Sequence, residues 1–396
     1  MKRLLGNNIP GVIIIEGHTQ GLSNTRSLGE FGIPVIIIDK TNCIARYSKY
    51  CCKFFICPDF AGDDFADFLI ELSIRENVKG WSLIPSNDHA LHTISRNKKR
   101  LESYFKFLIP SIDIINNILD KSRLLSVAQL NNIPIPVTQY FNGIDDNLDE
   151  KMTFPLITKG RIGLSFYKTF GRKAFIANNR NELKEQLEFI SQRFKINETF
   201  TQELIPFNGT NKTLSFTAFC IGGEIKTYWM GVKLREHPWR FGTATLAESI
   251  KVPECFDKSA SLLNALNYSG ICEIEYLYDY RVKQYKLIEI NARTWLWVGL
   301  AKECGIDFAK LLYLYLNHKE TIFPKDYQIG LKWINRLTDT YISLVALLKG
   351  QLKISEYFAS LRGTKVNAIF SLNDLKPSIM LIFLGLSLAR KRKFWA

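Results

Sequence analysis

Four oxygen-bearing side chains bracket one short polar turn in the stretch CEIEYLYDYRVKQYKLIEINART (272–294), with Glu273 and Glu275 on one side and Glu289 and Asn291 on the other. Both arms alternate, with Ile274, Tyr276, Leu287 and Ile290 as strand-forming residues, so the stretch reads as a β-hairpin. Positions 275 and 289 are equidistant from 282, in the middle of DYRVKQ, which places the two glutamates opposite each other. Residues two apart share a face of a strand, so Glu273, Asn291 and Arg293 join the same surface. Two carboxylates about 4 Å apart repel by roughly 4 kcal/mol at an effective dielectric of about 20, so such a cluster needs a cation. Carboxylate and amide oxygens without Cys or His suit a hard ion such as Mg²⁺, with Mn²⁺ as a second candidate, and Mg²⁺ usually completes its shell with nucleotide phosphates. The competing reading is a solvated hairpin whose glutamates pair with Arg281, Lys283 and Lys286.

The hairpin needs a scaffold, and the sequence supplies one in stages. GVIIIEG (11–17) and IPVIIIDK (33–40) are continuous apolar runs separated by a segment with helical spacing of Leu22, Leu28 and Phe31. Strand, glycine turn, helix, strand is the opening of a doubly wound parallel sheet. KGWSLIPS (79–86) adds a further strand and leaves Ser86, Asn87 and Asp88 at its carboxyl edge, where open α/β sheets bind ligands. EGHTQGL is not the GxGxxG of a dinucleotide fold. Asp120 can cap a helix carrying Leu124, Leu125 and Leu130 that ends at IPIP. TFPLITKGRIGLSFYKTFGRKAFIAN then predicts two strands around a glycine-containing loop. The expected organisation is an N-terminal α/β domain at 1–115, a small lobe at 116–205, a large lobe with the oxygen cluster at 206–316, and a helical, basic extension at 317–396.

Composition narrows the function class. The 396 residues carry a net charge of +14 with 46% hydrophobic and 23% charged residues, which describes an ordinary folded protein with anionic partners. No nucleic-acid motif or basic run interleaved with aromatics occurs in the body of the chain, so nucleic acid is not an expected partner. Of the eight cysteines, those in FTAFCIGG and SGICEIEY sit in apolar runs, and CCKFFIC lacks the CxxC pairs of a zinc site. MKRLLGNNIPG has no signal-peptide core, and a cytoplasmic location is expected. The tail KPSIMLIFLGLSLARKRKFWA is too short to span a bilayer; it reads either as a core helix with a basic exit or as an anchor at the inner membrane face.

Taken together, DKSRLL…NIPIPVTQYF, FPLITKG, FTQELIPFNG and EIEYLYDYRVKQYKLIEINART resemble the ATP-grasp superfamily. More narrowly, with GLSNTRSLGEFGIPVIIIDK, ARYSKY and LIPSND, they resemble its carboxylate–amine ligase branch, which includes D-aspartate ligases and the pyrrolysine-biosynthesis ligase. The resemblance implies a two-lobed ATP-grasp domain behind the α/β domain, in an ADP-producing, C–N bond-forming ligase that uses ATP and Mg²⁺. Small-molecule carboxylate and amine substrates and an acyl-phosphate intermediate follow.

The same resemblance implies roles position by position. Lys121 and Lys159 would contact ATP phosphates, under a closing loop containing Gly160, Gly163 and Gly171. Gln202, Glu203, Leu204 and Ile205 would form the hinge that receives adenine. Glu275, Glu289 and Asn291 would be the magnesium ligands, and Arg293 would hold phosphoryl oxygens; Ala292 stands where proline is common. Lys233 and Arg235, two apart on one strand, would hold the reacting carboxylate or the transferred phosphoryl group, or else form an ordinary charged strand face. Glu273 is either a support for the metal ligands or purely structural.

Overall fold

The computed structural model describes residues 9–383 except 145, 209–210, 239–241 and 382. The first five strands are β1 (Val12–Ile15), β2 (Val35–Asp39), β3 (Cys51–Ile56), β4 (Trp81–Pro85) and β5 (Phe105–Lys106). They form a parallel sheet in the order β3-β2-β1-β4-β5. β1 and β2 are buried along their whole length, as continuous apolar runs in a sheet covered on both faces require. The chain order reverses between β1 and β4, whose carboxyl ends therefore border a crevice.

A second sheet contains β6 (Thr138–Tyr140), β7 (Leu156–Gly160), β8 (Phe175–Ala177) and β9 (Thr199–Glu203), in the order β6-β9-β7-β8. Its residues Phe141, Met152, Leu156, Ala177, Leu183 and Leu187 form a core separate from the main one. The segment between β7 and β8, expected as a loop, is largely a helix, Gly163–Phe170, ended by Gly171 in the left-handed conformation (φ 67°). Phe166 anchors it in an aromatic cluster with Phe170, Phe175 and Phe194. Asp120 caps the helix Lys121–Leu130 by accepting from the Ser122 amide at 2.9 Å, as the sequence predicts. That helix buries Leu124 and Ala128 in the main core, so Lys121 is fixed to the body of the protein and Lys159 to the small lobe.

The third sheet is built from β10 (Thr213–Ile221), β11 (Glu224–His237), β12 (Thr243–Ser249), β13 (Gly270–Asp279), β14 (Gln284–Asn291), β15 (Lys332–Ile334) and β16 (Lys365–Asn367). The order is β14-β13-β10-β11-β12-β15-β16, antiparallel except for the last pair. β15 and β16 come from the stretch expected as a helical extension; the chain after 316 thus contributes to the sheet that carries the hairpin. The fold class is as expected: a doubly wound α/β unit followed by two lobes around antiparallel sheets. No helix among the described residues is long and apolar enough to cross a membrane, and the basic residues Arg390–Lys393 lie outside the described residues.

All eight cysteines are free and seven are buried. Burial pushes Cys43, Cys51, Cys57 and Cys255 up to about 12, which leaves them as unreactive apolar packing groups.

Candidate active site

The hairpin has the predicted register: Glu275 opposes Glu289 and Glu273 opposes Asn291 on β13 and β14. The glutamates do not pair with Arg281, Lys283 or Lys286. Glu275 accepts from Lys233 Nζ at 2.9 Å, across the sheet from β11, and Glu289 accepts from Lys121 Nζ at 2.7 Å. Arg281 and Lys286 serve a different pair of acids. Both bind Asp279 (2.6 and 2.9 Å) and Glu203 (2.8 and 2.6 Å), tying the end of β9 to the far end of the hairpin.

Glu273 is hydrogen-bonded through both carboxylate oxygens. Its Oε1 accepts from Ser215 Oγ at 2.7 Å and its Oε2 from Asn291 Nδ2 at 3.0 Å. Holding the amide nitrogen fixes the direction of Asn291 Oδ1, which lies 3.5 Å from Arg293 Nη2. Three oxygen donors therefore converge: one carboxylate from each arm and one oriented amide oxygen. Among the described residues no group of three or more His, Cys, Asp or Glu is arranged to hold a metal ion alone. A cation here would draw the rest of its shell from phosphate and water, which suits Mg²⁺.

The electrostatics differ from one group of the cluster to the next. Burial is the largest influence on Glu275 and lifts it to about 8; Lys233 pulls the other way, while Glu273 and Glu289 add to the lift. Lys121 holds Glu289 well below the usual carboxylate range. Lys159, half-buried at the end of β7, makes no hydrogen bond or ion pair with another side chain among the described residues. Burial, then the neighbouring Lys121, pushes it down to about 8. It is a cation without an anion of its own, beside carboxylates that Lys121 and Lys233 already take.

Beyond the hairpin, Leu204, Ile205, Phe207 and Leu277 form the apolar wall of a pocket whose polar side is Lys212, Lys233, Arg235 and Glu236. The hinge backbone is locked: Glu203 N donates to Val137 O at 2.9 Å and Leu204 N to Pro155 O at 3.0 Å. Gln202 Nε2 binds Thr138 Oγ1 at 2.9 Å, and the Glu203 carboxylate is taken by Lys286 and Arg281. Within the predicted hinge, Leu204 and Ile205 face the pocket, whereas the side chains of Gln202 and Glu203 brace it.

In three places the structure adds to the expectation. Gly160 is buried, and a Cβ there would lie 2.5 Å from the Phe166 Cβ, so its smallness serves packing against that ring. Gly163 is the glycine that starts the helix beside Lys121, with the Lys121 Cε 4.0 Å from an added Cβ. Lys233 and Arg235 both line the pocket, but each is bound to a different carboxylate, Lys233 to Glu275 and Arg235 to Asp339, with bulges in the β11–β12 pairing between them. Arg235 is 5% exposed, forms a two-pronged pair with Asp339 at 2.8 and 2.7 Å, and also binds Ser360. Its guanidinium is committed to anchoring the helix Arg336–Leu348, although it still borders the pocket. Arg293 lies beside Asn291 as expected but also grips Asp88 of the N-terminal domain at 2.9 and 3.2 Å. The bracing quartet of Glu203, Asp279, Arg281 and Lys286 was not foreseen, since Glu203 is 76 positions from Asp279 and only the fold joins them.

Residues 245–313 match the family described as carbamoyl-phosphate synthase L chain, ATP binding domain. Over 264 residues the chain is 24% identical to a D-aspartate ligase of Enterococcus faecium (strain Aus0004), covering 63% of this chain and 62% of that relative, which is less than two thirds of its length. Among solved structures, biotin carboxylase from Campylobacter jejuni matches with a TM-score of 0.65 at 15% identity over 82% of this chain and 74% of that one. N5-carboxyaminoimidazole synthetase from Staphylococcus aureus, complexed with ADP, gives 0.62 at 14% identity over 82% and 81%. L-amino acid ligase from Bacillus licheniformis gives 0.59 at 15% identity over 80% and 76%. The chain has the ATP-grasp fold and resembles the carboxylate–amine ligase branch of that superfamily.

Proposed function

We propose that the protein is an ATP-dependent carboxylate–amine ligase. The observation that carries this reading is the convergence of Glu275, Glu289 and Asn291 on one face of the hairpin, flanked by Lys121, Lys159 and Lys233. Adenine would lie against Leu204, Ile205, Phe207 and Leu277, with the triphosphate running toward the hairpin. Glu275, Glu289 and Asn291 would hold Mg²⁺, which neutralises phosphate charge when bound.

In the first step a substrate carboxylate oxygen attacks the γ-phosphorus of ATP, and the bond to ADP breaks, giving an acyl phosphate. In the second an amine attacks the acyl carbon, inorganic phosphate leaves, and the amine loses a proton to give the amide. Phosphoryl transfer depends on positioning and charge stabilisation. Lys159 approaches from the small lobe and Lys121 from the body, so closure of the lobes would bring two ammonium groups onto the phosphates. The helix Gly163–Phe170 would move with the small lobe, whose separate core lets it close as a unit and exclude water from the acyl phosphate.

The test is direct. Supplied with ATP, Mg²⁺ and a mixture of amino acids and sugar acids, the protein should release ADP faster than with ATP alone. Hydroxylamine in place of the amine should yield a hydroxamate from the acyl phosphate. ADP release that no carboxylate stimulates would remove the ligase reading.

Lys159 provides a separate check on the nucleotide site. At pH 8 about half of the Lys159 population is uncharged in the free protein, and a triphosphate beside it restores the charge. Nucleotide binding without divalent metal should therefore take up protons at pH 8, on Lys159 and also on Glu275, which added negative charge raises further, and fewer at about pH 6.5, where both are already protonated. Calorimetry in buffers of different ionisation enthalpy measures the uptake, and Lys159→Met should reduce it, leaving the part that belongs to Glu275. An uptake unchanged in that variant would place the phosphates elsewhere.

A further inference from the structure

The helix Arg336–Leu348 is apolar on two sides. Asp339, Ile342, Ser343 and Ala346 are buried on the side that packs against β11 and β12. Leu337, Tyr341, Leu344 and Leu348 share the opposite side, since they recur at helical spacing. They are 63%, 61%, 56% and 80% exposed. The next helix, Ile354–Ser360, has no buried residue and adds Ile354 and Phe358, 66% and 63% exposed. The inner sides of the two helices meet on Arg235, which pairs with Asp339 of the first, binds Ser360 of the second and lies 5.2 Å from the centre of the Tyr357 ring. The outer sides therefore belong to one surface, fixed to the large sheet through a buried ion pair. Single exposed apolar side chains are ordinary, but a row of them on neighbouring helices marks an interaction surface.

The charge around this surface has one sign. Residues 336–396 contain ten Lys and Arg against three Asp and Glu, and so hold half of the net charge of +14. Two of the three acids are taken inside, Asp339 by Arg235 and Asp374 by Arg26. The third, Glu356, accepts from the Lys353 amide at the start of its own helix. Arg336, Lys349, Lys353 and Arg362 are exposed and form no ion pair among the described residues. Lys349 and Lys353 flank the turn that joins the two helices. Beyond Phe383 the sequence continues LGLSLARKRKFWA, which repeats the combination of apolar and basic residues.

We propose that this surface docks the protein onto a lipid bilayer containing anionic headgroups, a role that does not rest on the ligase reading. The exposed apolar side chains of the two helices enter the boundary between headgroups and acyl chains, while Arg336, Lys349, Lys353 and Arg362 stay among the lipid phosphates. Three features select lipid over a protein partner. The apolar side chains stand out from convex helix faces, more than half exposed, which suits insertion and not the capture of a peptide in a groove. A two-fold contact with a second copy would bring the same basic residues against each other, and like charges across an interface are costly. Apolar area together with basic residues supplies the two signals that stable attachment to a membrane surface takes.

Flotation of the full chain with vesicles tests the surface. Vesicles of phosphatidylcholine mixed with phosphatidylglycerol should carry the protein, and vesicles of phosphatidylcholine alone should bind it at least about tenfold more weakly. Raising the salt from about 0.1 M to about 1 M should weaken the attachment to a similar extent. Leu344→Ser combined with Leu348→Ser removes apolar area without altering charge, and should weaken binding to the anionic vesicles at least about tenfold. Leu344→Phe combined with Leu348→Phe keeps the surface apolar and should bind at least as tightly as wild type. Lys349→Gln combined with Lys353→Gln should weaken binding about tenfold and flatten its salt dependence. These positions are exposed, so urea unfolding of every variant should match wild type. Failure to float with anionic vesicles, or equal attachment by wild type and the serine variant, overturns the proposal. So does a dimer in sedimentation velocity that the serine variant converts to a monomer, because the surface would then join two copies of the chain.

Discussion

Glu289→Gln should lower substrate-stimulated ADP release by at least about a hundredfold, the scale seen when one charge-stabilising group is removed from a reacting centre. The substitution preserves shape and removes one of the two carboxylates among the three proposed metal ligands. It also leaves Lys121 hydrogen-bonded but without the carboxylate charge opposite its ammonium group. The loss should be specific to the metal-dependent part of nucleotide binding. Affinity for ATP in the presence of EDTA should hold or improve, because one negative charge near the phosphates is gone. Glu273→Gln should have a smaller effect, about 10- to 100-fold, since Glu273 reaches the site only by orienting Asn291. A coupled ADP assay across a Mg²⁺ titration measures both. If Glu289→Gln turns over like wild type, the hairpin is not the reacting centre.

The largest expected effect on stability lies elsewhere. Asp339 is 1% exposed and receives Arg235 Nε, Arg235 Nη2 and Thr245 Oγ1. Asp339→Ala strands a buried guanidinium, and breaking a buried pair in this way costs about 3–5 kcal/mol. Arg235→Met combined with Asp339→Leu removes both charges and should recover most of that loss, because an apolar pair of similar volume is often neutral or better. Urea denaturation of the three proteins gives the comparison. Equal stability of the single and double variants would mean that the guanidinium is not desolvated, and Arg235 would again be available to a substrate.

These two residues show how far the sequence could be read. Glu275 and Glu289 are 14 positions apart across one turn, so strand periodicity and symmetry alone set their register. The same holds for the Asp120 cap and for the continuous apolar strands of the parallel sheet, where the determining interactions are local. The partner of Arg235 was not legible, for the opposite reason. Alternation predicted a shared face with Lys233, but bulges in β11 and a carboxylate 104 positions downstream gave it a different partner. The packing of Gly160 was not legible, because a glycine beside a strand end looks alike whether the missing side chain leaves room for a phosphate or for Phe166.

What the sequence determined by itself was the chemistry on offer: two facing carboxylates, an amide oxygen, and lysines at the ends of a strand and a helix. These follow from side-chain type and from the fixed periods of strand and helix. Which charge meets which was decided by the tertiary structure alone. Lys121 and Lys233 reach the hairpin from 168 and 42 positions away. Electrostatic pairing depends on distance in space and on the loss of water around the pair, and neither is written in the local pattern of residues.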